Sequence, residues 1–400
     1  MMKHRLFKKS GLILLKLALI YKTLSFISCN DYNEDKAIYT IDLEKLEAKE
    51  LIIDSLFVVD KIVQLETTGE SVINYINKLF LSNKYIVVVD IFGSSVLVFD
   101  SSGAFITKIS KQGRGPGEYI KISDIYVEFE HGLIYILDGY DSKKILKYSL
   151  TGDFLGETRI NFGADSFTKM DKYGFAFFQP TGNSIINSNK HFEVILTDSA
   201  YQQRWTGIPF NEKWAGYSYQ SSMVNTVFSN NNHDVFFTPS IPHGINKVYK
   251  ISPSLAEPYL EISPDNNRKL SKLLETLNPS NGGVFDHINK SGFYYNLNSF
   301  SEAGNSISFS IAKGGNNYFV FHEKNSYEYR ILNQLTSDSH HGFFYPSPIN
   351  NGTLINIVEV TSILDNDFSL FNSIKTNLKV DTNPILVTYK VKKTFHPDNQ

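Results

Sequence analysis

Short apolar runs alternate with polar turns along most of the chain. Two neighbouring sets of runs can be laid over one another: YIVVVDIFGSSVLVFDSSGAFITKI (85–109) and LIYILDGYDSKKILKYSLTGDFLGETRI (133–160). Asp90 falls on Asp138 at a spacing of 48, and Val96 on Ile145, Phe99 on Tyr148, Gly103 on Gly152 and Phe105 on Phe154 at a spacing of 49. The one-residue difference lies in the turn after Asp138, where an insertion costs least. Each set holds an apolar run, a turn bearing Asp, a run ending in an aromatic residue, a glycine turn and a third run. That is the pattern of three antiparallel strands joined by hairpins. INKLFLS (76–82) and ISDIYVE (122–128) precede the two sets as a fourth, inner strand. Four strands at a period near ~50 residues predict the blades of a β-propeller.

The pattern continues more loosely. FEVILTDSAYQQRWTGI (192–208), NKVYKISPSLAEPYLEI (246–262) and NNYFVFHEKNSYEYRIL (316–332) supply three further blades, and GTLINIVEV (352–360) begins a sixth. A propeller removes its open edge when its two ends share a blade. SLFVVDKIVQLET (55–67) and NPILVTYKVKK (383–393) have no blade of their own and are expected to complete the last one together. Two stretches break the β pattern. SPDNNRKLSKLLETLNPSNGG (263–283) carries Leu270, Leu273, Leu274 and Leu277 at helical spacing and predicts one short amphipathic helix packed on a blade. SILDNDFSLFNSIKTNL (362–378) predicts a weaker helix inserted before the closing strand. The expected architecture is therefore all-β, a six-bladed propeller of four-stranded antiparallel blades over residues 51–393, with 394–400 as a C-terminal tail.

The N-terminus has a different character. Lys3, Arg5, Lys8 and Lys9 precede the apolar GLILLKLALI (11–20), which together predict a signal peptide over residues 1–28. Lys16 and Lys22 argue against a membrane-spanning helix. The chain's single cysteine, Cys29, closes this segment in SFISCN, a position that resembles a bacterial lipobox with Phe26 in place of the usual Leu. Lipidation there would tether an exported protein to a membrane; a chance cysteine beside a plain cleavage site is the alternative. Residues 29–50 then form a lipidated N-terminus and polar linker. With one cysteine no intrachain disulfide can form, so stability must come from packing.

GRGPGEY (113–119) followed by ISDIYV (122–127), IVQLET (62–67) before the first blade, and NPILVTYKVKK at the end resemble the six-bladed β-propeller lipoproteins common in Bacteroidetes, related in pattern to NHL-repeat propellers. The resemblance implies a propeller over about residues 51–393 and a location in the cell envelope, with the outer membrane as the expected site. It implies no catalytic residues.

Composition narrows the function. Thirty-nine basic against 41 acidic residues leave a net charge of −2, which is not the footprint of a nucleic-acid binder. The glycines of ISKQGRGPGEYIK (109–121) do not form a phosphate loop: Glu118 follows Gly117 where a Lys would be needed, and a strand rather than a helix comes next. They suit a crossover from the rim of one blade to the axis of the next, with Gly113, Gly115 and Gly117 permitting backbone that a Cβ would forbid and Pro116 fixing φ. Such a crossover borders the channel mouth, so Arg114 is a candidate ligand contact and Glu118 its orienting partner, or the two form a brace. Trp205 and Trp214, with Tyr217 and Tyr219, are candidates for a sugar-stacking platform or for filling the wedge between blades.

No HExxH, HxH, cysteine zinc site or G-x-S-x-G elbow is present. His322 and Glu323 should point to opposite faces of a strand, and His340 and His341 fall in an inter-blade loop. Turn residues Asp90, Asp100, Asp138 and Asp153 suit Asx-type hydrogen bonds. The reading is a non-catalytic binding or scaffold module for a glycan, a peptide or an envelope protein, with no cofactor and no designated metal residue. The alternative is a metal-assisted hydrolase or lyase whose channel holds a Ca or Zn ion contributed by several blades.

Overall fold

The computed structural model describes residues 39–45, 49–52, 57–139, 141–179, 192–209, 212–214, 228–231, 234–239, 245–279, 283–303, 305–324, 329–336, 344–349 and 353–392. Three N-terminal strands, β1 (Tyr39–Ile41), β2 (Lys49–Ile52) and β3 (Phe57–Gln64), are distributed over three different sheets. Blade one is β4 (Lys78–Leu81), β5 (Tyr85–Asp90), β6 (Ser95–Asp100) and β7 (Phe105–Ile109); blade two is β8 (Asp124–Glu128), β9 (Leu133–Asp138), β10 (Lys144–Ser149) and β11 (Phe154–Arg159). Blade three is β12 (Ser166–Lys169), β13 (Phe175–Phe178), β14 (Phe192–Thr197) and β15 (Gln203–Pro209). Blade four is β16 (Phe228–Asn231), β17 (Asp234–Phe237), β18 (Lys247–Ser252) and β19 (Leu255–Ile262), with β1 added in parallel outside β19. Blade five is β20 (Tyr294–Ala303), β21 (Ser306–Lys313), β22 (Asn316–Glu323) and β23 (Tyr329–Thr336), with β2 added in parallel outside β23. Blade six is β24 (Phe344–Ile349), β25 (Thr353–Val358), β26 (Ile385–Val391) and, outermost, β3. The fold is a six-bladed β-propeller.

Packing between blades supplies the core. In blades one to three the second and third strands are covered on both faces by neighbouring blades, so their apolar runs are largely continuous, as in VVV of β5 or FAFF of β13, whereas β21 of blade five alternates as SISFSI. Val87, Val89, Val96 and Val98 of blade one meet Ile134, Ile136, Leu146 and Tyr148 of blade two. The wedge between blades two and three is filled by rings, with Phe167 stacked on Phe177 at 5.7 Å and Phe162 edge-on to Phe177 at 5.0 Å. Large aromatic faces suit a gap that widens toward the rim.

The internal repeat is visible in the ladders. Asp90 ends β5 and Asp138 ends β9, both fully buried. Asp90 accepts Gly93 N–H at 2.7 Å, an Asx-type contact, and also Asn74 N–H at 2.8 Å; Asp138 accepts Ile120 N–H at 2.8 Å. These carboxylates clamp the crossover that leads into their own blade. The extra residue of the second repeat lies in the 139–143 connection, which answers to 91–94 in the first.

Closure follows the pairing expected from the two chain ends. β3 runs antiparallel to β26 from Phe57 opposite Val391 to Gln64 opposite Ile385. Asn383, 2% exposed, secures the seam: it donates through Nδ2 to the carbonyls of Glu66 (2.9 Å) and Ser71 (2.8 Å), accepts Ile73 N–H at Oδ1 (2.9 Å) and donates its own N–H to Thr67 Oγ1 (2.8 Å).

Four details differ from the sequence reading. The segment read as linker contains β1 and β2, which cover the exposed edges of blades four and five, because an outer strand offers unpaired N–H and C=O groups to any extended segment that reaches it. Blade six begins at β24, one strand before GTLINIVEV. The leucine-bearing helix α1 (Pro264–Thr276) is followed by a second, α2 (Val284–Ser291), and the later helical region is two short pieces, α3 (Val360–Asp365) and α4 (Asn372–Lys375). α1 packs Leu270 and Leu274 on Tyr295 and Ala312 of blade five, as a leucine stripe should.

Replacing Asn383 with Ala orphans the Ser71 carbonyl and the Ile73 N–H at the seam, each costing roughly 1–3 kcal/mol when buried, while the Glu66 carbonyl keeps the Ser71 hydroxyl at 2.7 Å. Denaturant unfolding should show a loss of several kcal/mol, far more than for the exposed Asn366→Ala.

Candidate functional site

The strand order divides the connections into two unequal sets. In each blade the first-to-second and third-to-fourth strand turns lie on one face; the second-to-third turns and the crossovers between blades lie on the other. On the first face the longest among the described residues are 170–174 and 198–202. On the second, among the described residues, the chain spends 65–77, 110–123, 263–279, 283–293 and 359–384. We call these the short-turn face and the loop face. Binding residues gather on loops carried by a rigid scaffold, so the loop face is the candidate site.

The glycine crossover 110–123 is an ordered part of that face. Glu118 folds back into it and accepts Gly115 N–H at 2.7 Å; a Cβ on Gly113 would stand 2.1 Å from the same carboxylate oxygen. Gly117 lies at φ +74° beneath the ring of Phe154; its N–H donates to Glu157 at 3.1 Å and its carbonyl accepts the Tyr148 hydroxyl. Tyr119 is fully buried, and its hydroxyl donates to the carbonyl of Ser94 at 2.7 Å, which ties the crossover to the 91–94 hairpin of blade one. Burial pushes that phenol up to about 12, so it is a neutral donor under physiological conditions. The glycines thus serve the crossover expected of them. Glu118 braces it through the backbone, and Arg114 is left exposed at its tip. The tied hairpin carries Phe92, 64% exposed, with Tyr75 edge-on at 5.9 Å.

The two tryptophans lie elsewhere. Trp214 is 2% exposed and packs among Leu270, Leu274, Val284 and Ile288 of α1 and α2. Trp205 is half-buried on β15 and lies over Gly207, where a Cβ would come 1.8 Å from its ring. Both fill space between elements. Tyr217, Tyr219, His340, His341 and Cys29 fall outside the described residues.

Along the axis, side chains stitch neighbouring inner strands. Lys78 of blade one pairs with Asp124 of blade two at 2.5 Å, and the other Asp124 oxygen accepts the Ser166 hydroxyl and Phe167 N–H (3.1 Å) of blade three. Lys169 of blade three pairs with Glu128 of blade two, and Thr168 donates to Asn230 of blade four at 3.0 Å. Burial alone would raise the Glu128 carboxyl, but the Lys169 hydrogen bond and charge, the Tyr135 hydroxyl and His131 outweigh it and hold it below the usual range. Each of these carboxylates is engaged by a lysine, which makes them braces between blades. Among the described residues no group of three or more His, Cys, Asp or Glu is placed to hold a metal ion. His322 is 5% exposed within β22, opposite Ile307.

One buried acid was overlooked in the sequence. Glu193 on β14 is 1% exposed and neither carboxyl oxygen has a hydrogen-bond partner. It sits opposite Gln179, where blade one has Asp90 opposite Ser95 and blade two has Asp138 opposite Lys144. Desolvation by burial raises its carboxyl well above the ordinary range, because burial disfavours the charged form. A lone Glu inside the apolar run FEVILT was the available signal.

A family model described as Domain of unknown function (DUF4934) matches residues 38–390. The chain belongs to that family. Two crystal structures share the DUF4934 chain's fold. A Bacteroides fragilis protein described as exported is 19% identical, with a TM-score of 0.70 over 88% of this chain and 99% of that one. A member of the DUF4221 family from Bacteroides vulgatus is 11% identical, with a TM-score of 0.50 over 84% of this chain and 98% of that one. No curated protein sequence matches this DUF4934 member. Among its described residues no helix is long and apolar enough to cross a membrane.

Two outcomes follow from this geometry. Gly117→Ala should destabilise by about 1–3 kcal/mol, because it adds a left-handed penalty to contact with Phe154; Gly132→Ala, at φ +66° with nothing within 4 Å, should carry the left-handed penalty alone. Chemical denaturation of both variants measures the difference. Glu193 binds its proton more tightly when folded, so its contribution is fully present below the unfolded carboxyl's range and is lost as pH rises toward the folded value. Stability should therefore fall with pH above about 4.5 by up to about 1.4 kcal/mol per unit, and Glu193→Gln should remove that slope in melts taken from pH 4 to 8.

Proposed function

We propose that the protein is an exported, envelope-anchored propeller that binds a glycan, a peptide or another envelope protein on its loop face and does not transform it. The observation that carries this reading is the unequal division of the connections: the sheets are held rigid by buried ladders, and nearly all long segments are spent on one face. There an ordered glycine crossover presents Arg114 beside a hairpin that presents Phe92. A guanidinium fork suits a carboxylate-bearing ligand, and an exposed ring suits the apolar face of a sugar or a side chain. Export is supported by the signal-like N-terminus and by the Bacteroides fragilis neighbour described as exported. Lipidation of Cys29 supplies the anchor, with the outer membrane as its location. Nucleic acid stays outside the ligand set because the chain's charge is nearly balanced.

The test is thermal unfolding of residues 30–400 against glycan and peptide panels, with chelator, Ca²⁺ and Zn²⁺ arms. A ligand that binds only the native state at a hundredfold above its Kd adds about 2.7 kcal/mol. Arg114→Ala and Phe92→Ala, both at exposed positions, should reduce the ligand-induced shift while leaving the unliganded stability within about 0.5 kcal/mol of wild type. A large rise with metal alone would instead support a metal-assisted hydrolase or lyase in the channel.

A further inference from the structure

On the loop face the connections of blades six, one and two are joined by hydrogen bonds into one series. Asn383 grips Ser71 and Ile73 at the seam, which pins Val72 between them. The turn that carries Val380 lies just before Asn383 and is closed by Thr382 N–H donating to the Lys379 carbonyl at 2.9 Å. Asn74 then donates its N–H and its Nδ2 to one oxygen of Asp90 at 2.8 and 3.0 Å, which fixes the 65–77 crossover to the base of the 91–94 hairpin. That hairpin is in turn tied to the glycine crossover: Ser94 Oγ accepts Gln112 Nε2 at 3.1 Å, and the Tyr119 hydroxyl that donates to Ser94 accepts Lys111 N–H at 3.2 Å.

The exposed side chains change character along this series. Over the seam they are apolar: Val380 is 73% and Val72 43% exposed, and the Tyr75–Phe92 pair follows. Apolar side chains exposed together, unlike singly scattered ones, mark a contact surface. Over 110–123 they are cationic. Lys111, Arg114 and Lys121 are exposed, and among the described residues none of the three has an ion-pair partner. Glu118, the sole acid of that segment, is turned in on Gly115 N–H, so three cations stand against one engaged carboxylate. At the seam end the balance is reversed, with exposed Glu70 and Asp381 against Lys379.

An apolar stretch that leads into unpaired cations is complementary to an extended peptide whose apolar side chains are followed by carboxylates. A sugar face stacks on a ring such as Phe92, but Val72 and Val380 offer branched aliphatic surface, which suits apolar side chains better. Neighbouring sheets pack about 10 Å apart, so the path from blade six to blade two is about 20 Å long, the reach of about six extended residues. We propose, resting on the reading of the loop face as the binding surface, that this face takes an extended segment of a partner protein. Its apolar residues lie over Val380, Val72 and Phe92, and its acidic end lies over Lys111, Arg114 and Lys121.

Fluorescence anisotropy of the full-length protein tests this with a labelled short peptide in which Phe and Val alternate with Ser ahead of a run of Asp and Glu. The comparison ligands are the same peptide with Lys for its acids, the same peptide with Ser for its apolar residues, polygalacturonate and dextran. The patterned peptide should bind about tenfold or more tightly than either altered peptide, and its affinity should fall with salt as exposed charges are screened. The double variant Lys111→Glu, Lys121→Glu should weaken it about tenfold, and so should Phe92→Ser with Val380→Ser. A photo-crosslinker on the peptide gives a reading on the wild-type chain, whether or not the variants fold. Placed at the apolar end it should label the segments holding Val72 or Val380, and at the acidic end the segment 110–123. Reversed or scattered labelling, equal affinity for the three peptides, or no binding of the patterned one overturns the proposal. If polygalacturonate or dextran binds instead and Arg114→Ala weakens it, the loop-face reading stands and only the peptide proposal fails. If the probes label the short-turn face, the loop-face reading falls with it.

Discussion

The antiparallel ladder between β3 and β26 joins Phe57 to Val391 and Gln64 to Ile385, residues at opposite ends of the chain. Without it β26 would be an open edge and blade six would lack its outer strand. The same ladder carries Val63 and Leu386 into a cluster with Ile86, Val88, Leu97 and Phe99, so blade six packs on blade one through it. Every other interface in the ring is made between consecutive blades. This one alone decides whether the ring exists, and Asn383 commits all of its side-chain hydrogen-bonding groups to it.

Because the ring is held by buried ladders and inter-blade cores, the loops can vary without endangering the scaffold. The axis shows the same division of labour. Lys78, Asp124, Glu128 and Lys169 hold inner strands together, and their charges are satisfied within the protein. Exposed Arg114 and Phe92 lie instead on the connections, on two loops that Tyr119 ties together.

The architecture was legible where the chain repeats itself at constant length. Blades one and two are joined by short turns, so Asp90 and Asp138, or Gly103 and Gly152, keep their spacing. From blade three onward the insertions on the loop face break the period, which is why β24 was passed over and blade six was started one strand late. β1 and β2 were not legible because YTI and KELI have no pattern of their own; their extended form is imposed by the open edges of β19 and β23. α2 was missed because VFDHINKS is too short to display helical periodicity. At the site, the glycine crossover announced itself, whereas the ion pairs join residues about forty positions apart and leave no motif. Glu193 needed the blade alignment before it stood out.

The order in which β1, β2 and β3 are laid down has a consequence for biogenesis. They are the first strands of the chain to be made, yet their partners β19, β23 and β26 come far later. The leading segment must therefore wait, extended and unpaired, until nearly the whole polypeptide has followed. A product cut short before Ile385 could stack its early blades but would have nothing to receive β3. Completion of the chain and completion of the ring are thereby the same event, and an interrupted chain keeps an unsatisfied strand.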